Sequence, residues 1–159
     1  IQGIQGPQGP QGIQGIQGLT GPVGPGSTLV LKSADENVLN STTPQNDDHL
    51  KLTIGANETW EFETVVMATA TTASPDIRYN FSVPAGATIY WTTSNGTTAL
   101  SGNQNNAISA GGTTMLRLRG VVLNGGTAGD IQFQWSQDSL DAVVQTKVLK
   151  GSFIRAGKF

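Results

Sequence analysis

A glycine stands at every third position from Gly3 to Gly24. The triplets read IQG, IQG, PQG, PQG, IQG, IQG, LTG and PVG, without interruption. A strict period of three is required where three polyproline-II strands wind around one axis, because only a hydrogen side chain fits there. The repeat therefore predicts a collagen-like triple helix and, with it, a homotrimer. The predicted stalk glycines are Gly3, Gly6, Gly9, Gly12, Gly15, Gly18, Gly21 and Gly24.

The repeat ends where the composition of the chain changes. Ser27 stands where the next glycine would be required, directly after Pro25 and Gly26. Every charged and every aromatic residue lies beyond that point. We therefore expect a collagen-like stalk of residues 1–26 and a head of residues 27–159, which is long enough for one domain with its own core. At about 3.1 Å per residue, the triplets would span about 70 Å.

The prolines of the triplets indicate where such a stalk is made. Pro7, Pro10 and Pro22 each follow a glycine, and none stands directly before one. The position before glycine is the one that hydroxyproline occupies in collagens. The pattern therefore favours a collagen made without prolyl hydroxylation, as in bacteria and their viruses.

The head alternates between apolar and polar residues with a period of two. From Ile77 to Val83 each apolar residue is followed by a polar one, as expected for a strand with one buried side. Turn-forming residues separate the alternating segments, and no stretch of ten residues has helical periodicity. The predicted strands are 28–33, 37–41, 49–54, 58–70, 76–83, 87–93, 113–123, 130–136 and 143–155. The pattern predicts an all-β head, an antiparallel β-sandwich of the jelly-roll type.

Two of the predicted strand segments are more apolar than a sheet face exposed to water would be. They are residues 64–70 and residues 121–123. Burial between the subunits of the predicted homotrimer would explain both.

Charge and composition exclude several classes of function. The net charge is −2 and there is no basic stripe for phosphates, so no nucleic acid is expected as a partner. No apolar run approaches 18 residues, so no membrane insertion is expected. The absence of cysteine excludes disulfides and thiolate chemistry and favours assembly in a reducing cytoplasm. Because the chain begins within a repeat and without a signal segment, we expect a fragment or a processed chain.

A ligand-binding site is predicted in the longest polar loop, residues 92–112. Sugar sites combine an aromatic ring with amide and hydroxyl groups, and this part of the chain supplies both. The candidate residues for a glycan are Trp91, Thr92, Asn95, Asn103, Gln104 and Asn106. The alternative is a Trp91 ring that is buried at the end of its strand, under its own loop.

No metal or cofactor site is expected. His49, the only histidine, follows Asp47 and Asp48, and we interpret the three residues as a solvated turn. The alternative is a weak Ca²⁺ site at the two aspartates, although Ca²⁺ requires six or more oxygen ligands.

No catalytic site is expected either, so the chain is predicted not to be an enzyme. Glu61 and Glu63 lie on one side of a strand, and paired carboxylates can hydrolyse glycosides. A solvated strand face is the simpler interpretation. Ion pairs with Arg117 and Arg119 of another chain are the alternative.

The layout of a glycine-triplet stalk before a β head resembles several families. Complement-type and tumour-necrosis-factor-type heads are trimeric jelly rolls, and spore-surface glycoproteins of bacilli share the layout. The Ile-Gln-Gly and Pro-Gln-Gly triplets of residues 1–18, and the ending from Val148 to Ala156, look most like bacteriophage fibre and spike proteins. The head resembles these families in architecture alone, so no functional residue is carried over.

The resemblance implies a structural virion fibre of a bacterial virus. Its trimeric head would contact a glycan or protein of the host surface, and an upstream virion protein would be its partner at the N-terminal end. It implies a location on the virion surface after synthesis in the host cytoplasm. Two alternatives stay open: a capsid or tail decoration spike with a structural role only, and a collagen-like filament of a bacterial spore or cell surface.

Overall fold

The computed structural model describes residues 2–3, 26–72, 75–93, 96, 104–106, 108 and 111–159. Most of the predicted stalk, residues 4–25, lies outside the described residues. The triple helix, the trimer and the boundary at Ser27 therefore stay predictions. Within the described ranges, no helix is long and apolar enough to cross a membrane.

Eleven β-strands form the described part of the head, and this confirms the all-β prediction. They are β1 (Ser27–Leu31), β2 (Glu36–Val38), β3 (Gln45–Ile54), β4 (Thr59–Ala70), β5 (Ile77–Ser82), β6 (Thr88–Thr93), β7 (Gln104–Asn106), β8 (Thr113–Leu123), β9 (Gly129–Gln137), β10 (Thr146–Val148) and β11 (Phe153–Lys158).

The strands form two antiparallel sheets. In the larger sheet the order is β1-β11-β4-β8-β6, and β10 and β2 continue the sheet beside the C-terminal end of β4. The smaller sheet has the order β3-β9-β5-β7. From β3 to β9, consecutive strands alternate between the two sheets, so that every connection crosses from one to the other. The structure thus has the two sheets that the predicted sandwich requires.

Aromatic rings from both sheets meet in the core. Phe62 of the larger sheet packs edge to face on Phe81 of the smaller sheet, with ring centroids 5.0 Å apart. The Trp91 ring lies 5.3 Å from Phe81 and 6.0 Å from Tyr79. Phe133 completes the cluster at 5.6 Å from Phe81. Such pairs stabilise a fold by about 0.5–1.5 kcal/mol beyond the burial of their area.

Most strand ends differ from the prediction by one to three residues, and three differences go further. The predicted strand 143–155 divides into β10 and β11 because Gly151, with a φ of 91°, turns the chain between them. The sequence does not predict β7, whose three polar residues carry no alternation. β3 begins already at Gln45, because a β-bulge between Asn46 and Lys51 interrupts the period-two pattern.

Two polar side chains of β9 that the alternation predicts to face water are buried, and the bulge of β3 contacts one of them, Gln132. Gln132 of β9 is buried, and its Nε2 donates hydrogen bonds to the backbone oxygens of Asp47 at 2.9 Å and Leu50 at 3.3 Å. Ser136 is buried as well. Because the amide of Gln132 has these partners, its burial is tolerated.

Candidate functional site

The outer face of the larger sheet is the side that points away from the core. Paired residues of neighbouring strands lie on the same side of a sheet. Glu63 of β4 therefore shares this side with its register partners, Arg119 of β8 and Arg155 of β11. Continued through the register, the outer face comprises Ser27, Leu29, Leu31, Asn37, Thr59, Glu61, Glu63, Val65, Met67, Thr69, Thr88, Tyr90, Thr92, Thr113, Met115, Arg117, Arg119, Val121, Leu123, Lys147, Phe153, Arg155 and Gly157.

Large apolar side chains are exposed on the outer face. They are Leu29, Leu31, Tyr90, Met115 and Leu123, and Phe159 follows directly after β11. Met115 is 67% exposed and Leu29 is 62% exposed. These six are the majority of the nine exposed large apolar side chains among the described residues. Charged side chains of β4, β8 and β11 lie between Leu29 at one edge of this face and Tyr90 at the other, so the exposed apolar side chains surround a charged centre.

Four charged side chains form a cluster in the middle of the outer face. Glu63 Oε1 lies 3.0 Å from Arg119 Nη2 and 3.6 Å from Arg117 Nη1, and Glu63 Oε2 lies 2.9 Å from Arg155 Nη2. The Glu63 side chain is only 13% exposed, whereas the three arginine side chains are more than half exposed. Three cations and one anion leave two positive charges in this cluster.

The arginines keep the Glu63 carboxylate ionised. Burial raises the pKa of Glu63, but the hydrogen bond and charge of Arg119 and the charges of Arg117 and Arg155 outweigh burial. The pKa of Glu63 therefore lies below its ordinary value of 4.5. Arg117 and Arg119 thus pair with Glu63 of their own chain, whereas Glu61 of the predicted pair is exposed beside the cluster.

A groove of about 700 Å³ crosses the outer face beside this cluster. Tyr90, Glu61, Arg119 and Arg155 contribute to its lining, and Gly157, which has no side chain, leaves space there. The groove joins the exposed Tyr90 ring to two arginine side chains, and Tyr and Arg are both enriched at protein–protein contacts, whereas Glu is depleted there.

Trp91, the aromatic residue of the predicted glycan site, lies in the core. Its side chain is 2% exposed, and its ring contacts Phe81 and Tyr79. The alternative interpretation of the sequence buries this ring under its own loop, most of which lies outside the described residues, whereas the contacts that the structure describes are with the other sheet. In this position the ring is covered by the other sheet and is not presented to a sugar.

The other predicted glycan residues are divided between the two sheets or lie outside the described residues. Thr92 is half-buried in β6 and lines the groove on the outer face. Gln104 and Asn106 belong to β7 of the smaller sheet. Asn95 and Asn103 lie outside the described residues. A glycan site in this part of the chain stays a prediction.

A buried network of charges lies where β1 ends. Lys32 Nζ is 2.8 Å from Asp47 Oδ2, 2.8 Å from Glu36 Oε2 and 3.5 Å from His49 Nδ1. Trp135 Nε1 also donates to Asp47 Oδ2, at 3.2 Å. The predicted solvated turn is therefore wrong for Asp47, which is buried, and for His49, which is half-buried, because β3 begins before both residues.

The network has the ligand types of a metal site, but a lysine supplies its positive charge. Ligand atoms of Glu36, Asp47 and His49 lie within 4.8 Å of one another. The Lys32 ammonium group is within hydrogen-bond distance of both carboxylates. The arrangement ties β1, β2 and β3 together. The sequence analysis did not identify Lys32 and Glu36 as members of this network. The one signal in the sequence is that Lys32 directly follows the apolar residues of β1, where a charged side chain requires a partner if it is buried.

The outer side of the smaller sheet is polar and is here called the polar face. It consists of Asn46, Lys51, Thr53, Arg78, Asn80, Ser82, Asp130 and Gln134. Thr53 Oγ1 donates to Asp130 Oδ1 at 2.6 Å, and Gln134 Nε2 donates to Asn46 Oδ1 at 2.8 Å. The two faces of the head therefore differ: one is apolar with an arginine cluster, and the other offers hydrogen-bonding groups.

No family model and no curated protein matches the chain. A chain in the structure of infectious bursal disease virus Gx strain is similar, with 12% sequence identity and a TM-score of 0.30. The similarity covers 84% of this chain and 40% of that chain, so this chain spans less than half the length of that relative.

Proposed function

We propose that three copies of this chain form a stalked fibre on the surface of a bacterial virus, and that the head contacts the host cell. The observation that carries the proposal is the junction at Ser27, where β1 follows the predicted triple helix after only Pro25 and Gly26. A triple helix requires three chains, and it would present three heads at one end of a rod. The proposed role is structural and adhesive and involves no chemical reaction.

The strand order supports a jelly-roll head in this proposal. The first strand, β1, pairs with the last, β11, and inside this pair β3 pairs with β9, β4 with β8, and β5 with β7. This nested pairing is how the eight strands of a jelly roll are arranged, a fold common in viral capsids. β6 is an additional strand beside β8.

The polar face suits a host glycan, and the sequence of segment 92–112 supplies the amide and hydroxyl groups of the predicted site. Side-chain amides, hydroxyls and charged groups such as Asn80 and Arg78 provide the hydrogen bonds that orient a polar ligand. Three weak sites on one trimer bind a cell surface far more tightly than one site, by about 10²–10⁴-fold where geometry allows joint contact. The fibre therefore needs only modest affinity in each head.

The test is a binding measurement on the purified full chain with whole bacteria and with envelope glycans, together with light scattering for the mass. We expect a trimer that binds saturably. The double variant Asn95→Ala/Asn103→Ala tests the predicted loop site, and Ser139→Ala, on an exposed turn, is the matched control. Loss of binding in the loop variant alone supports the site.

A trimer that binds no host surface would contradict host contact and favour a decoration spike. The upstream virion protein would then be the next partner to identify. A chain that is monomeric at every concentration would contradict the fibre itself.

A further inference from the structure

We infer that the outer face of the larger sheet is the surface through which the three heads contact one another. The inference rests on the trimer of the proposed function and names the surface that holds it together. The occupant of each outer face is thus a second copy of this chain.

The path of the chain from the stalk brings the outer face close to the trimer axis. In the predicted triple helix, Gly24 stands at the shared axis. Three residue steps lead from Gly24 to Ser27, and an extended chain covers at most about 11 Å in that distance. Ser27 of each copy must therefore lie near its two counterparts. Leu29 and Leu31 of the outer face follow in the same strand.

β1 is also an edge strand of the larger sheet. Among the strands of the described residues, only β11 pairs with it. Leu29 and Leu31 are 62% and 58% exposed on the outer face. An exposed apolar edge is a surface on which other chains associate unless it is covered. Two other copies start from the same stalk, so they are the molecules in place to cover it.

The charge cluster is partly paired before such a contact forms, and its two remaining positive charges require acceptors from the neighbouring copy. Glu63 neutralises part of the charge of Arg117, Arg119 and Arg155 within one chain. Internal pairing lowers the cost of removing these charges from water. The exposed parts of the guanidinium groups keep N–H donors that a neighbouring copy can satisfy with backbone or carboxylate oxygens.

Cysteine labelling tests the inference without disturbing the packing. The chain has no cysteine, so a single introduced thiol reports on one position. Met115→Cys probes the outer face, and Val143→Cys, 88% exposed and outside that face, is the matched control. In the full chain we expect a maleimide to react at least tenfold more slowly at position 115 than at 143, and equally fast at both after denaturation.

Light scattering on the same samples separates the two proposals. If the chains are trimers and position 115 reacts as fast as position 143, the outer face is not the contact, and the trimeric fibre stands. If the chains are monomers at every concentration, both proposals fail.

Lysine substitutions on the outer face test the same contact independently. We expect Met115→Lys and Leu29→Lys to raise the dissociation constant of the trimer by at least tenfold, while Val143→Lys leaves it unchanged. Circular dichroism verifies that each variant keeps its β structure. Trimers that persist in both outer-face variants at all concentrations would overturn the inference.

Discussion

Lys32 Nζ lies 2.8 Å from Asp47 Oδ2, and both side chains are fully buried. The pair joins the residue that follows β1 to the bulge of β3. A buried ion pair adds little stability compared with apolar packing, but loss of one partner leaves an unpaired charge in the interior. The network therefore matters most as a constraint on how the chain runs from β1 into β2 and β3.

Replacement of Lys32 by methionine is expected to lower the free energy of unfolding by about 3–5 kcal/mol. The double variant Lys32→Met/Asp47→Asn should lose less than the sum of the two single variants, because it removes both charges together. Denaturant unfolding at one fixed protein concentration measures all four chains, since association also shifts stability. Additive losses would show that the two charges do not interact.

Trp91→Ala is expected to lower the free energy of unfolding by about 3–5 kcal/mol, because the Trp91 ring packs between Phe81 and Tyr79 in the core. Thr92→Ala, at the next position and half-buried, should change it by less than about 1 kcal/mol. Thermal or denaturant unfolding compares the two. A Trp91→Ala chain of unchanged stability that had lost glycan binding would instead place Trp91 in the ligand site.

Gly120→Ala is expected to destabilise the head by about 1–3 kcal/mol. A methyl group at Gly120 would overlap the backbone oxygen of Tyr90 and lie 2.7 Å from the Phe62 ring. Gly126→Ala is the matched control, because a methyl group there meets no atom within 4 Å. Thermal unfolding of both variants is the measurement, and equal midpoints would contradict the close packing at β8.

Glu58 is expected to make the stability depend on pH in the acid range. Hydrogen bonds from Lys158, Trp60 and the Gly55 N–H lower the pKa of Glu58 from 4.5 to about 2. Because the folded pKa is the lower one, the unfolded chain takes up the proton first as the pH falls. The contribution of Glu58 is complete above about pH 4.5 and is lost as the pH falls toward about 2.

The measurement is the free energy of unfolding of the natural chain and of Glu58→Gln between pH 6 and pH 2. The advantage of the natural chain should shrink across this range. A difference that stays constant with pH would show that ionisation of Glu58 does not stabilise the head. A carbon-detected titration of the Glu58 carboxyl group reads the pKa directly.

Most strands follow from alternation alone, because a half-buried strand repeats every two residues. The segment from Ile77 to Val83 is an example, since β5 lies within it and its apolar residues are in the core. Alternation fails at β3, where the bulge shifts the register and contacts the buried side chain of Gln132. Alternation fails at β7 as well, because its three residues are all polar. They form a strand by pairing with β5 in the folded sheet.

The sequence predicted only part of the outer face of the larger sheet. Segments 64–70 and 121–123 predict an apolar surface, and both contribute to the outer face through Val65, Met67 and Leu123. Arg155 could not be assigned to it, because it lies 92 positions from Glu63 along the chain.

The sequence by itself determined the period of three in the stalk triplets and the period of two in the head, because both are local requirements of backbone geometry and side-chain direction. The tertiary structure alone decided that β1, β4, β8 and β11 share one face, that three arginines surround Glu63 there, and that Lys32 meets Asp47 in the interior. These contacts join residues from distant parts of the chain, and the pairing of strands that creates them depends on the packing of the whole sandwich.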